Sequence, residues 1–177
     1  PFVTIFDQAS VYDILVAKNR VYLATNNGVY YSPFLTKESF NFKKIENLQG
    51  QCWAIQELDN DIMISHDTGI YKLENETIQK IGQENGFWKI TKINNKQGWY
   101  LASNYNGLYL IQKQQQSWRI INKIKGFEES TRDIIADSQK DTYWICHGYK
   151  GVYKIHIDPN YSRIESVDHF TNKNGFQ

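Results

Sequence analysis

The sequence predicts an all-β chain of tandem four-stranded units of the β-propeller type, and three observations carry that prediction. Four times a short strand-like run ends in a polar turn and then Gly-aliphatic-Tyr: Gly28-Val29-Tyr30, Gly69-Ile70-Tyr71, Gly107-Leu108-Tyr109 and Gly151-Val152-Tyr153. The glycines lie 41, 38 and 44 residues apart, and a period of roughly 40 residues made of short strands is that of a propeller blade. With 12 Tyr, 9 Phe and 5 Trp against 3 Pro, the composition suits sheets, and no window sustains the 3.6-residue apolar period of a helix.

Within each unit the elements align in order. The inner strands are Val11-Tyr12-Asp13-Ile14, Cys52-Trp53-Ala54-Ile55, Trp88-Lys89-Ile90 and Thr131-Arg132-Asp133-Ile134. The second strands are Val21-Tyr22-Leu23-Ala24, Ile62-Met63-Ile64-Ser65, Trp99-Tyr100-Leu101-Ala102 and Tyr143-Trp144-Ile145-Cys146. These runs are apolar without alternation, as expected of strands covered on both faces by stacked sheets. Each ends in a small residue, Ala24, Ser65, Ala102 or Cys146, which suggests crowding where blades taper toward an axis.

A polar turn follows and closes on Gly28, Gly69, Gly107 or Gly151, where glycine supplies the positive φ of a tight hairpin. Counted from the small residue, the third and fourth turns are each one residue longer than the first two and carry Tyr105 and Tyr149 in one slot. The third strand holds the Gly-aliphatic-Tyr signature. Fourth strands, as in Phe42-Lys43-Lys44-Ile45, Thr77-Ile78-Gln79-Lys80-Ile81 and Trp118-Arg119-Ile120-Ile121, are more polar, which discourages edge-to-edge association. One repeat region, 1–177, thus divides into blades near 7–46, 47–82, 83–125 and 126–170.

Pro1 to Phe6 reads as a leftover outer strand of a preceding blade. Thr171-Asn172-Lys173-Asn174-Gly175-Phe176 echoes Gln83-Glu84-Asn85-Gly86-Phe87, so 171–177 reads as the start of a further blade. The expectation is an arc of about four blades from a larger propeller, with apolar faces that favour self-association.

At 41% hydrophobic and 22% charged, the 177 residues have the profile of a globular protein. Twenty basic and 19 acidic residues give a net charge of +1, which leaves no electrostatic case for nucleic acid or an anionic membrane. No apolar run approaches the ~20 residues of a membrane span. Cys52 and Cys146 have no metal-ligand or redox spacing and read as free buried thiols. No cofactor or metal motif is present in the sequence.

The repeat resembles the two-component regulator propeller family, best in Ile134-Ile135-Ala136-Asp137 through Tyr143-Trp144-Ile145 to Gly151-Val152-Tyr153-Lys154. The resemblance covers nearly the whole chain. It implies an extracytoplasmic, periplasmic sensor domain of a bacterial hybrid two-component regulator, with carbohydrate-type ligands. Where that family ends its second strand in Gly-Thr, this chain has Ala24-Thr25, Ser65-His66, Ala102-Ser103 and Cys146-His147.

Ligands of propellers usually meet the turn-lined face, because loops there converge. Tyr105 and Tyr149 are amphipathic aromatics suited to a sugar face or to simple packing. His66 and His147 lack a third partner for metal and read as hydrogen-bonded structural groups or polar ligand contacts. Tyr12, Trp53 and Arg132 share an inner-strand slot with Trp88 nearby, and could stack on a ligand or on one another.

Ser65-His66-Asp67-Thr68-Gly69 matches part of a sialidase-type Asp box, but the Thr-Trp that should follow is Tyr71-Lys72. Asn75-Glu76-Thr77 and Asn160-Tyr161-Ser162 fit glycosylation sequons of a kind that arise by chance. The expected function is therefore non-catalytic sensing of a small-molecule or oligosaccharide ligand in a signalling receptor. The alternatives are a polysaccharide hydrolase or lyase using Asp13, Asp133 or Asp67, and a protein-interaction scaffold.

Overall fold

The computed structural model describes residues 9–34, 40–94 and 96–174. The expected strand at Pro1 to Phe6 and residues 175–177 lie outside these; Asn172–Asn174 form a single 3₁₀ turn.

Tight turns with paired left-handed residues set the hairpins. Lys18 and Asn19 (φ 49° and 59°), Asp59 and Asn60 (45° and 68°), and Asn75 and Glu76 (47° and 69°) have the signature of type I′ turns, whose twist matches that of the flanking strands. Four antiparallel sheets result, each of four strands in sequential order. The first holds β1 (Val11–Ala17), β2 (Arg20–Thr25), β3 (Gly28–Pro33) and β4 (Lys43–Lys44); the second, β5 (Cys52–Leu58), β6 (Asp61–His66), β7 (Gly69–Glu74) and β8 (Thr77–Ile81). The third holds β9 (Phe87–Lys92), β10 (Trp99–Asn104), β11 (Gly107–Gln114) and β12 (Ser117–Ile124); the fourth, β13 (Asp133–Ala136), β14 (Thr142–His147), β15 (Gly151–Ile157) and β16 (Ile164–Phe170). The inner strand of the fourth sheet thus starts two residues later than the sequence alignment suggests, leaving Thr131 and Arg132 in the loop that enters it.

The chain forms two compact units, residues 1–85 and 86–177, each containing two sheets. In the first unit Tyr22, Ala24 and Val29 of the first sheet pack with Cys52, Ile55, Ile62 and Ile64 of the second. The opposite face of β2 is buried as well, through Val21 and Leu23 with Tyr30, which explains its unbroken apolar run. In the second unit Leu101, Leu108 and Leu110 of the third sheet pack with Ile134, Tyr143, Ile145 and Ile155 of the fourth.

In each unit part of the inner-strand edge is open. On the first sheet Ile14 and Val16, paired with Leu23 and Val21 and so on the same face, are 61% and 58% exposed. On the fourth, Ile135 is 63% exposed. Cys146 is exposed too, which corrects the expectation of two buried thiols: strand residues alternate faces, and Cys146 falls on the side away from the core that Ile145 enters. Cys52 is buried, and desolvation pushes its thiol up to about 12.

The recurring glycines all take positive φ, 93°, 146°, 102° and 95° at Gly28, Gly69, Gly107 and Gly151. At three of them the chain leaving the fourth strand crosses the hairpin so closely that a Cβ would overlap a carbonyl oxygen, that of Leu48, Phe127 or Phe170. Gly28 N–H and Gly107 N–H donate to that passing chain, at Gly50 O (2.7 Å) and Glu129 O (2.9 Å). Glycine is therefore required twice, by conformation and by space.

Gly107→Ala is expected to lower unfolding free energy by at least about 2 kcal/mol. Gly148→Ala, at a glycine whose added Cβ would meet nothing nearer than Arg132 Nη1 at 3.6 Å, should change it by less than about 0.5 kcal/mol. Denaturant titration compares the two, and equal effects would refute the steric account.

Candidate functional site

The last residue of each second strand is paired with the signature glycine: Thr25 with Gly28, His66 with Gly69, Asn104 with Gly107 and His147 with Gly151. The third turn therefore has two residues, as do the first and second, and only the fourth has three. The equivalent small residues are Ala24, Ser65, Ser103 and Cys146. Tyr105 and Tyr149 do not share a slot, because Tyr105 is the first turn residue and Tyr149 the middle one of three. The sequence alignment slipped at Ala102-Ser103, where two small residues in succession both fitted the column.

This corrected column has one chemical property. Thr25 Oγ1 accepts from Asn27 N–H (3.0 Å), His66 Nδ1 from Thr68 N–H (3.0 Å), Asn104 Oδ1 from Asn106 N–H (2.9 Å) and His147 Nδ1 from Tyr149 N–H (3.2 Å). Three residue types thus make the same bond to the backbone two residues on, the geometry by which short polar side chains close turns. At His147, accepting at Nδ1 leaves the proton of a neutral ring on Nε2, 3.6 Å from Glu129 Oε2. Burial pushes the pKa of both imidazoles below the usual 6.5, against the upward pull of Asp67 on His66 and of Glu129 on His147. Asp67 Oδ1 lies 2.6 Å from His66 Nδ1.

A second column sits on the inner strands. In the first three sheets the β-ladder has a bulge, between Val11 and Asp13, between Cys52 and Ala54, and opposite Ser103 and Asn104. The extra residues are Tyr12, Trp53 and Trp88. Arg132, immediately before Asp133 as Trp88 is before Lys89, takes the same place in the fourth sheet. A bulge re-aims the side chain it carries, and in both units neighbouring members of this column meet. Tyr12 stacks on Trp53, with centroids 4.9 Å apart and planes 19° from parallel. The Arg132 guanidinium carbon stands 5.4 Å over the Trp88 ring.

The second unit builds most around this column. Trp88 Nε1–H donates to Ser130 Oγ (3.1 Å), and the Tyr105 ring lies 4.8 Å from that of Trp88. Tyr105 occupies the space a side chain on Gly86 would need, 2.6 Å from an added Cβ, and its N–H donates to Gly86 O (2.8 Å). Buried Thr131 anchors the loop: its Oγ1 accepts from Asn104 N–H (2.7 Å) and donates to Gly107 O (2.7 Å). Thr131 and Asn104 were not among the expected site residues; the register of the third turn was the missing information. Tyr149, 87% exposed, sets its ring against His147 at 4.7 Å.

Two of the three carboxylates considered for acid-base work, Asp13 and Asp133, carry structural hydrogen bonds. Asp13 accepts from Ile14 N–H (2.9 Å) and, across to the second sheet, from Ile55 N–H (3.0 Å). Asp133 accepts from Ile134 N–H (2.9 Å) and from Lys89 Nζ (2.9 Å) of the third sheet. Both tie inner strands of adjacent sheets. Among the described residues no group of three or more His, Cys, Asp or Glu could hold a metal ion.

No family model and no curated protein sequence matches the chain. Solved structures do. The extracellular domain assigned to the hybrid two component system BT3049 of Bacteroides thetaiotaomicron superposes with a TM-score of 0.70 at 14% identity, over 94% of this chain and 25% of that one. The WD40 domain of Neurospora crassa Pan2 gives 0.64 at 8% identity, over 96% and 52%. An auxiliary nutrient binding protein from B. thetaiotaomicron gives 0.60 at 10% identity, over 96% and 43%. WD40 repeats are propeller blades. The four sheets are propeller-type blades.

At these identities the likeness is one of fold. The chain spans about a quarter of the BT3049 domain. The blade arrangement explains why the two columns share one side: the second-to-third strand turns and the entries to the inner strands lie at the same end of each blade. Trp53, Arg132 and Tyr105 belong to the aromatic layer there, His66 and His147 to the turn-closing layer beneath it, and Tyr149 to the exposed rim.

A ring whose folded pKa lies below 6.5 takes its proton more readily in the unfolded chain. The stability contributed by neutral His66 and His147 is therefore complete above pH 6.5 and is lost as pH falls toward the folded values. The depressed carboxylates Glu76, Glu129, Asp137 and Asp158 act only below their ordinary 4.5, 4.5, 3.8 and 3.8. The melting temperature should therefore fall between pH 7 and 5, and the double variant His66→Asn, His147→Asn, which keeps an acceptor as Asn104 does, should flatten that slope. An unchanged slope would remove the histidines from the account.

Proposed function

We propose that this chain is a non-catalytic, ligand-sensing module from the extracytoplasmic part of a bacterial signalling receptor, and that its ligand is a saccharide. The observation that carries the reading is the bulged column: Tyr12 against Trp53 and Arg132 over Trp88, presented at the turn end of the blades. Partly exposed aromatic faces with polar rims suit the apolar CH faces and hydroxyl edges of sugars. The fold likeness to an extracellular domain of a hybrid two component system and to a nutrient binding protein supports the setting. The structural hydrogen bonds of Asp13 and Asp133 support the absence of catalysis.

The open faces at Ile14 and Val16 and at Ile135 support a second property, association through blade faces. Each would seat another blade's apolar face, as the described pairs of blades already do.

Glycan-array binding of the receptor's full extracellular region tests the function. Trp53→Ala and Trp88→Ala should each weaken the best saccharide at least tenfold, since stacking on an aromatic face contributes roughly 1–3 kcal/mol. Turnover of a bound polysaccharide, or unchanged binding in both variants, would overturn the reading. Light scattering should show an average mass that rises with concentration, and Ile14→Lys should suppress the rise.

A further inference from the structure

Three acids near the Trp88–Arg132 pair of the second unit are held by lysines. Glu129 Oε2 is held by Lys150 Nζ at 2.7 Å, Glu128 Oε2 by Lys123 Nζ at 2.6 Å and Asp133 Oδ1 by Lys89 Nζ at 2.9 Å. Each of these three acids thus has its own lysine. Arg132, which is exposed, has no carboxylate within ion-pair distance among the described residues.

The position of Arg132 limits how it can be used. Its guanidinium lies over the Trp88 ring, so one flat face is spent on the indole. Its Nη1 stands 3.6 Å from where a Gly148 Cβ would be; glycine leaves that approach clear of a side chain. What remains available is the N–H edge, a planar fork that matches the two oxygens of a carboxylate. Beside it stand the Trp88 and Tyr105 rings, 4.8 Å apart, which offer a surface for a sugar ring. His147, buried nearby and neutral near pH 7, adds no competing charge.

We infer that the Trp88–Tyr105–Arg132 cluster recognises an acidic saccharide, with Arg132 gripping a ring carboxylate while the two aromatic side chains pack against the sugar. This deepens and rests on the saccharide-sensing reading of the same face. It adds the substrate class, uronate-containing chains, and it assigns Arg132 as the residue that discriminates them from neutral ones.

Calorimetric titration of the full extracellular region with tri-uronates of galacturonic, glucuronic and mannuronic acid, each beside its methyl ester, is the test. The esters keep ring and shape and remove only the charge. At least one acid should bind tenfold or more tightly than its ester, with affinity that falls as salt is raised. Arg132→Gln should abolish that preference, and Arg132→Lys should restore part of it. Because Arg132 is exposed, both variants should melt within a degree or two of the parent, which separates lost recognition from lost folding.

Equal binding of acid and ester, a preference that survives Arg132→Gln, or tighter binding of neutral or sulfated sugars would overturn the inference and leave saccharide sensing standing. Failure of every saccharide, neutral and acidic, to bind would remove both.

Discussion

The rest of this structure depends on a crossing with no room in it. Where the chain leaves the fourth strand of a blade it passes over the hairpin between the second and third strands, so near that a Cβ on Gly28, Gly107 or Gly151 would overlap a backbone carbonyl. The positive φ of these glycines, with the N–H bonds of Gly28 and Gly107 to the passing chain, fixes the turn against it. Once that crossing is set, the start of the next inner strand has a defined place, and the repeat propagates. A repeat protein is built from such unit-to-neighbour constraints, and here the constraint is a steric one at a single atom.

Two layers follow from it. The turn must present N–H groups somewhere, and the residue paired with the glycine accepts one of them, whether it is Thr25, His66, Asn104 or His147. This layer is buried and its chemistry is that of turn closure, and the burial lowers the pKa of the two histidines in it. The inner strand, having entered over the preceding turn, carries one residue too many for its ladder and bulges. The bulged side chain is turned out toward the turn end of the blade, and the result is the aromatic layer. The turn-closing residues and the bulged aromatic residues are therefore adjacent without being the same residues.

Electrostatics then distinguishes the members of the aromatic layer. In the first unit the stacked pair is Tyr12 and Trp53, with no charge of its own. In the second, Arg132 replaces the aromatic, while three acids near it are each matched by a lysine. A cation stacked on indole and lacking a carboxylate among the described residues is a specific chemical feature in a chain whose net charge is only +1. Net charge alone would never have revealed it.

The sequence by itself determined the fold. The Gly-aliphatic-Tyr beat, the apolar second strands and the polar outer strands are local signals, and each corresponds to a local need: positive φ, burial on two faces, a wet edge. It also placed Trp53 and Arg132 in one slot, since equal offsets from Ile55 and Ile134 need no structure to count. Tertiary structure decided what depends on register and on neighbours. Ala102 and Ser103 are both small, so only strand pairing could show that Asn104, and not Ser103, closes the third turn. Trp144-Ile145-Cys146 is as apolar as its counterparts, so only the covering of one face and not the other could expose Cys146. The partners of Asp13, Asp133 and Arg132 lie 42 to 44 residues away along the chain, one repeat on or back, where the period shows which positions correspond but only packing shows which side chains touch.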